Sequence, residues 1–126
     1  VFTFSMYQDN NYPTKKPPGT LDLSLVDATD DSAYLAQLSD ALFVVMAHRP
    51  DLLVYLAGAD PYERDQLGGL ALTKEGLRAR DRMVFAMAQK DGVSVVVTLA
   101  GGYAYELADT VEIHVATVEE AVAALR

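Results

Sequence analysis

The chain has 126 residues, no cysteine, and 18 acidic against 10 basic residues, for a formal net charge of −8. That length bounds it to one domain's worth of core. The acidic balance argues against a nucleic-acid partner, which needs clustered lysine and arginine, and the missing cysteines exclude disulfides and thiolate zinc sites. Such a surface tolerates or attracts cationic ligands, lysine side chains or polyamines among them, but many soluble proteins are this acidic for solubility alone. No run is long enough for a membrane span and nothing resembles a signal peptide, so a cytoplasmic protein with no membrane partner is expected.

Val1–Ser5 (VFTFS) reads as a short strand already under way at the first residue, which leads us to expect sequence upstream of it. Met6–Thr20 holds three prolines, a glycine and two adjacent asparagines, and reads as a loop. Leu21–Leu25 alternates apolar and polar, as a strand near an edge does. Asp27–Asp31 is a turn supplying a helix cap, and Ser32–His48 follows with Tyr34, Leu35, Leu38, Leu42 and Val45 on one helical face. Arg49-Pro50-Asp51 breaks that helix. Leu52–Ala57 is a continuous apolar strand of the kind buried on both faces. After a polar loop, Thr73 caps a helix over Lys74–Lys90, with Leu77, Met83, Val84 and Met87 inward, and Asp91-Gly92 stops it. Val93–Leu99 is a second fully buried strand, closed by the turn Ala100–Tyr103. Tyr105–Leu125 has mostly helical spacing, with VEIHV inside it also readable as a strand. Buried strands alternating with amphipathic helices predict an α/β fold, a parallel sheet flanked by helices.

In open parallel sheets, ligands bind beyond the carboxyl ends of the strands. That rule selects Gly58-Ala59-Asp60 and Gly101-Gly102-Tyr103. Asp60 reads either as a cap or turn aspartate before Pro61, or as a carboxylate mounted on a rigid strand end as a metal ligand. Tyr103 reads either as a half-buried aromatic in a tight turn or as a phenol donating a hydrogen bond to a developing oxyanion. His48, at a helix end, and His114, among apolar residues, form neither a zinc pair nor a triad. The lysines of TKKPPG read as a small solvated basic spot.

Several pieces then coincide in order and spacing: AGADPYERDQLGGLALTKEGLRARDRMVF, VVVTLAGGYA, LADTV, the NNYP loop and LDLSLVDATDDSAYL. Together they resemble the zinc-dependent histone deacetylase family, which includes acetoin-utilisation proteins and acetylpolyamine amidohydrolases, and within it the bacterial members near the class IV enzymes. The resemblance covers essentially the whole chain. It implies an arginase/deacetylase-like fold, with residues 1–126 as the C-terminal portion of a larger catalytic domain. It implies a zinc ion (Zn2+) with Asp60 as one of three protein ligands, and Tyr103 as the residue that polarises the amide carbonyl. It places Tyr12, Gly101 and Gly102 at the substrate, and Ser5 at a structural potassium ion (K+). The substrate class implied is an acetylated lysine, polyamine or small amine.

The departures matter as much. The family's His-His pair, its general base and acid, and its Asp-x-His motif, two further zinc ligands, occur nowhere in these 126 residues. Family members often carry histidine where Tyr7 stands and glycine where Arg64 stands, which bears on the channel wall. The expectation is therefore part of a zinc-dependent deacetylase, inactive alone and prone to associate with other copies through an exposed sheet edge. The alternative is a non-catalytic remnant or binding module of the same fold. A nucleotide-binding domain is disfavoured, because no phosphate-cradling glycine loop is present.

Overall fold

A computed structural model describes residues 1–125. Strands β1 (Phe4–Gln8) and β2 (Leu21–Leu25) pair in parallel, in register from Phe4 opposite Leu21 to Gln8 opposite Leu25. β1 thus lies three residues beyond the stretch its sequence pattern suggested. Its extent is dictated by the five residues β2 offers for pairing, and the ladder takes in Met6, Tyr7 and Gln8, which read as loop. Strands β3 (Leu52–Gly58) and β4 (Ser94–Ala100) form a second parallel pair, from Leu52 opposite Ser94 to Gly58 opposite Ala100.

The parallel sheet is therefore present as two strand pairs, and the segment Gly69–Leu72 stitches them together. On one side the Ala28 N–H donates to the Gly69 carbonyl (2.8 Å) and the Ala71 N–H to the Thr29 carbonyl (2.9 Å). On the other, the Glu63 N–H donates to the Leu72 carbonyl (2.8 Å) and the Leu72 N–H to the Pro61 carbonyl (3.1 Å).

Among the described residues three helices accompany the strands: α1 (Asp31–Ala47), α2 (Lys74–Asp91) and α3 (Leu107–Ala124). The Asp30 side chain caps α1 by accepting from the Ala33 N–H, and Thr73 caps α2 by accepting from the Gly76 N–H. Gly92 ends α2 in the left-handed region, φ 69°, where glycine is free of the Cβ penalty. The VEIHV segment is helical throughout, inside α3. Helix α2 packs between α1 and α3 and also meets β4.

The core is built from one face of the strands and the inner faces of the helices, with Leu25, Leu38, Leu42, Leu72, Leu77, Val84 and Ile113 among its members. β3 is not buried on both faces as its run of apolar residues suggested. Leu53 and Tyr55 pack on the core and Ala57 is fully buried, whereas Leu52, Val54 and Leu56 are 52%, 55% and 66% exposed. β4 follows suit, with Val96, the partner of Val54, exposed on the same side. The cause is coverage: helices lie over only one face of this pair, and a strand's side chains alternate between faces.

Beneath β3 lies a buried ion pair, Arg80 and Asp81, 4% and 1% exposed. Burying charge is costly unless every partner is present. Asp81 accepts from Arg80 Nε (2.9 Å), from the Tyr55 hydroxyl and from Thr117 Oγ1 (2.6 Å), so one carboxylate joins β3, α2 and α3. Burial pushes the Tyr55 phenol well above its usual pKa, which keeps it a proton donor to Asp81. Arg80 Nη1 donates to the Gly58 carbonyl (2.6 Å), at the carboxyl end of β3.

Candidate functional site

β3 ends in a tight turn in which the Tyr62 N–H donates to the Ala59 carbonyl (3.1 Å), with Asp60 and Pro61 at its centre. No helix begins here, and α2 has its own cap in Thr73, so Asp60 is not a capping residue. Its carboxylate is exposed and accepts no hydrogen bond from the described residues. It lies over bare backbone instead. A Cβ placed on Gly58 would come within 2.5 Å of Asp60 Oδ1, and one on Gly101 within 2.8 Å. The two glycines leave open the space in which the carboxylate sits.

The end of β4 meets it from the other side. The Ala59 N–H donates to the Gly101 carbonyl (3.0 Å), carrying the pairing past both strands. Gly102 has φ 135°, and a Cβ there would stand 2.8 Å from that of Ala59, so conformation and space both require glycine. Tyr103 follows, 62% exposed. Its N–H donates to Asp65 Oδ2 (2.6 Å) and its carbonyl accepts from the Gln66 N–H (2.9 Å). The Tyr105 N–H donates in turn to the Arg64 carbonyl (3.1 Å), so 64–66 and 103–105 run side by side.

Asp65 was not singled out by sequence as a site residue. It is 7% exposed, and its Oδ1 also accepts from the N–H groups of Leu67 (2.9 Å) and Gly68 (2.7 Å). The signal was there in Asp65-Gln66-Leu67-Gly68, an aspartate whose side chain can bond the backbone two and three residues on.

The structure thus brings Asp60, Gly101, Gly102 and Tyr103 together. Tyr12 stands 91% exposed on the β1–β2 loop. That loop is tied to the same region: Asn11 Nδ2 donates to the Leu67 carbonyl (3.0 Å) and to Gln8 Oε1 (3.1 Å), which also accepts from the Gly69 N–H (2.8 Å). Lys16 is not simply solvated. Its ammonium donates to the carbonyls of Asp9, Asn11 and Pro13 at 2.8, 2.8 and 3.0 Å and lies 5.2 Å from the Tyr7 ring centre. Ser5 sits in β1 opposite Asp22, in the other strand pair, and shares no hydrogen bond with the Asp60 turn among the described residues. His48 caps the end of α1 against the Phe2 ring. His114 lines a shallow depression with Gly101, Gly102 and Tyr103.

Helix α3 is tied down just beyond this turn. Lys74 Nζ pairs with Asp109 (2.7 Å) and Glu112, and the Tyr62 hydroxyl donates to Asp109 (3.1 Å). The Lys74 ammonium, first among several causes, holds the Asp109 carboxyl below its usual pKa. Among the described residues no three His, Cys, Asp or Glu side chains are grouped to hold a metal ion. Among these residues no helix is long and apolar enough to cross a membrane.

Comparison with known proteins finds relatives that match most of the chain. An uncharacterised protein of the cyanobacterium Picosynechococcus sp. is 40% identical over 115 residues, a match covering 90% of this chain and 38% of that protein. Histone deacetylase 2 of Arabidopsis thaliana is 31% identical over 120 residues, covering 89% of this chain and 31% of its own length. Among solved structures, an acetylpolyamine aminohydrolase from Burkholderia pseudomallei superposes on the whole chain with a TM-score of 0.81, at 23% identity and over 39% of its own length, which speaks to the fold. The chain therefore spans well under half the length of these relatives. The histone deacetylase domain profile matches residues 1–118, and with its α/β fold of parallel strands and helices the chain belongs to the histone deacetylase family.

Proposed function

We propose that this chain is part of a zinc-dependent amide hydrolase that removes an acetyl or related acyl group from a lysine side chain, a polyamine or a small amine. The observation that carries the reading is the Asp60 carboxylate: exposed, free of partners among the described residues, and set over two glycines beside the Tyr103 turn. An aspartate that shapes a turn bonds the backbone N–H groups just after it, whereas a ligand carboxylate has to keep its oxygens available. Asp60 therefore fits one corner of a zinc site, and the other protein ligands of a catalytic site have to come from outside these residues.

Zinc bound there supplies Lewis acidity toward the amide carbonyl and lowers the pKa of bound water. Tyr103 has the complementary task. Its exposed phenol, raised at the end of β4, donates a hydrogen bond to the carbonyl oxygen as negative charge builds on it. Gly101 and Gly102 let the substrate pass close to the backbone, and Tyr12 contributes an aromatic wall from the β1–β2 loop. Ser5, on β1, belongs to a separate potassium site in this reading.

The test uses the full-length protein with acetyl-lysine and acetylpolyamine substrates. Tyr103→Phe keeps its zinc and loses on the order of 10²–10³ in kcat, the usual cost of one oxyanion donor. Asp60→Ala loses zinc and activity together. Full zinc occupancy in Asp60→Ala, measured by metal analysis, would remove Asp60 from the ligand set. A wild-type protein that binds no zinc would point to the binding-module reading. The 126-residue chain alone is expected to show no turnover.

A further inference from the structure

The Tyr103 phenol is held neither by burial nor, among the described residues, by a hydrogen bond to its hydroxyl; the side chain is 62% exposed. Its direction is inherited from its backbone. That backbone follows two glycines, one of them at φ 135°, which leave the chain little stiffness of its own. The fixing must come from outside the turn, and the group that bonds the Tyr103 N–H is the buried carboxylate of Asp65 (2.6 Å).

An aspartate serving only its own loop would need one oxygen. Asp65 uses Oδ1 for that, accepting from Leu67 and Gly68, and reaches 38 residues along the chain with Oδ2. We propose that Asp65 is the positioning residue for Tyr103, fixing through the Tyr103 N–H the direction from which the phenol meets the substrate carbonyl. The role rests on Tyr103 being the oxyanion donor. It also couples the donor to the metal-side strand, because the loop Asp65 organises presses Gly68 against the Asp60 carbonyl and carries Gly69 onto Gln8. A shift of about 1 Å at the reacting atoms costs up to about 10²-fold in rate.

The conservative probe is Asp65→Asn in the full-length protein. Both carboxylate oxygens accept N–H bonds, so the amide must turn its NH2 toward at least one donor. We expect kcat to fall about 10–100-fold, with KM and zinc content unchanged within about twofold. In a Tyr103→Phe background the same substitution should add less than about twofold, because the hydroxyl it positions is gone. A full additional loss in that background, or a fall in zinc content matching the fall in kcat, would show that Asp65 acts on the fold or the metal and would overturn the proposal.

Amide hydrogen exchange provides a readout that does not depend on activity. The Tyr103 N–H should be strongly protected in the wild-type protein and selectively exposed in Asp65→Asn. Free exchange in the wild type overturns the proposal even if the variant fails to fold. A wild type that is protected at Tyr103 but shows no deacetylase activity would refute the enzymatic reading while leaving the Asp65 anchor in place.

Discussion

Asp60 and Asp65 stand on one loop, five positions apart, and are opposites. Asp60 is exposed and bonds none of the described residues; Asp65 is buried and takes three backbone N–H groups. The same side chain is free in one place and a fastener in the other. What separates them is where the surrounding N–H groups point. The turn at Asp60 closes through the Ala59 carbonyl and leaves the side chain out, whereas the loop after Asp65 folds its donors back onto the carboxylate.

The largest effects come from removing each carboxylate in the full-length protein. Asp65→Ala leaves three N–H groups without their acceptor and should cost about 2–4 kcal/mol of unfolding free energy. Asp60→Ala in metal-stripped protein should stay within about 0.5 kcal/mol of wild type, since it breaks no internal bond, while zinc retention collapses. Denaturant unfolding with and without chelator gives both numbers. Equal destabilisation by the two substitutions would break the contrast.

Gly101→Ala is a gentler probe of the Asp60 side. The new methyl would stand 2.8 Å from Asp60 Oδ1, the end of a side chain that can swing away. The fold should survive and zinc affinity drop roughly tenfold, the scale of disturbing a ligand's support. Competitive chelation measures it.

Glu120 is the intermediate case, 8% exposed like Asp65 but bonded to cations. Arg82 and Arg78 both donate to it, and the Arg82 bonds first of all hold its carboxyl below the usual pKa against the opposing pull of burial. A carboxyl lowered in the folded state contributes its stability above the unfolded pKa, about 4.3, and loses it as pH falls through the lower folded value. The α2–α3 contact should therefore weaken only below about pH 4.3. Glu120→Gln should be less stable at pH 7 and lose less on acidification, as acid titration followed by circular dichroism would show.

Much of the fold could be read from single residues. Asp30, Thr73 and Gly92 act locally, and each sits where its chemistry places it. Asp60 and the Gly101–Tyr103 turn were legible because strand ends in parallel sheets are marked by where apolar runs stop. Four things were not. The span of β1 depends on its partner's length. The burial of β3 depends on what covers it, and an unbroken apolar run looks the same with one face covered or two. Asp65 acts through an N–H far along the chain, and no local pattern reports that bond. The Lys16 ammonium, enclosed by three carbonyls, escaped for the same reason: the loop's curvature creates its partners.

The bare side of β3 gives the chain the character of an amphiphile. Leu52, Val54 and Leu56 line up on one side of a strand whose other side is packed, and Val96 of the neighbouring strand, the partner of Val54, extends that side. Water in contact with such a surface is best relieved by more of the same surface, and the open strand edges add backbone partners. A solution of the isolated chain should therefore scatter light increasingly steeply with concentration. The double substitution Val54→Thr, Leu56→Thr, which leaves the packed side untouched, should flatten that curve. A scattering mass that stays monomeric at every concentration would show that this surface is too small to bring copies together.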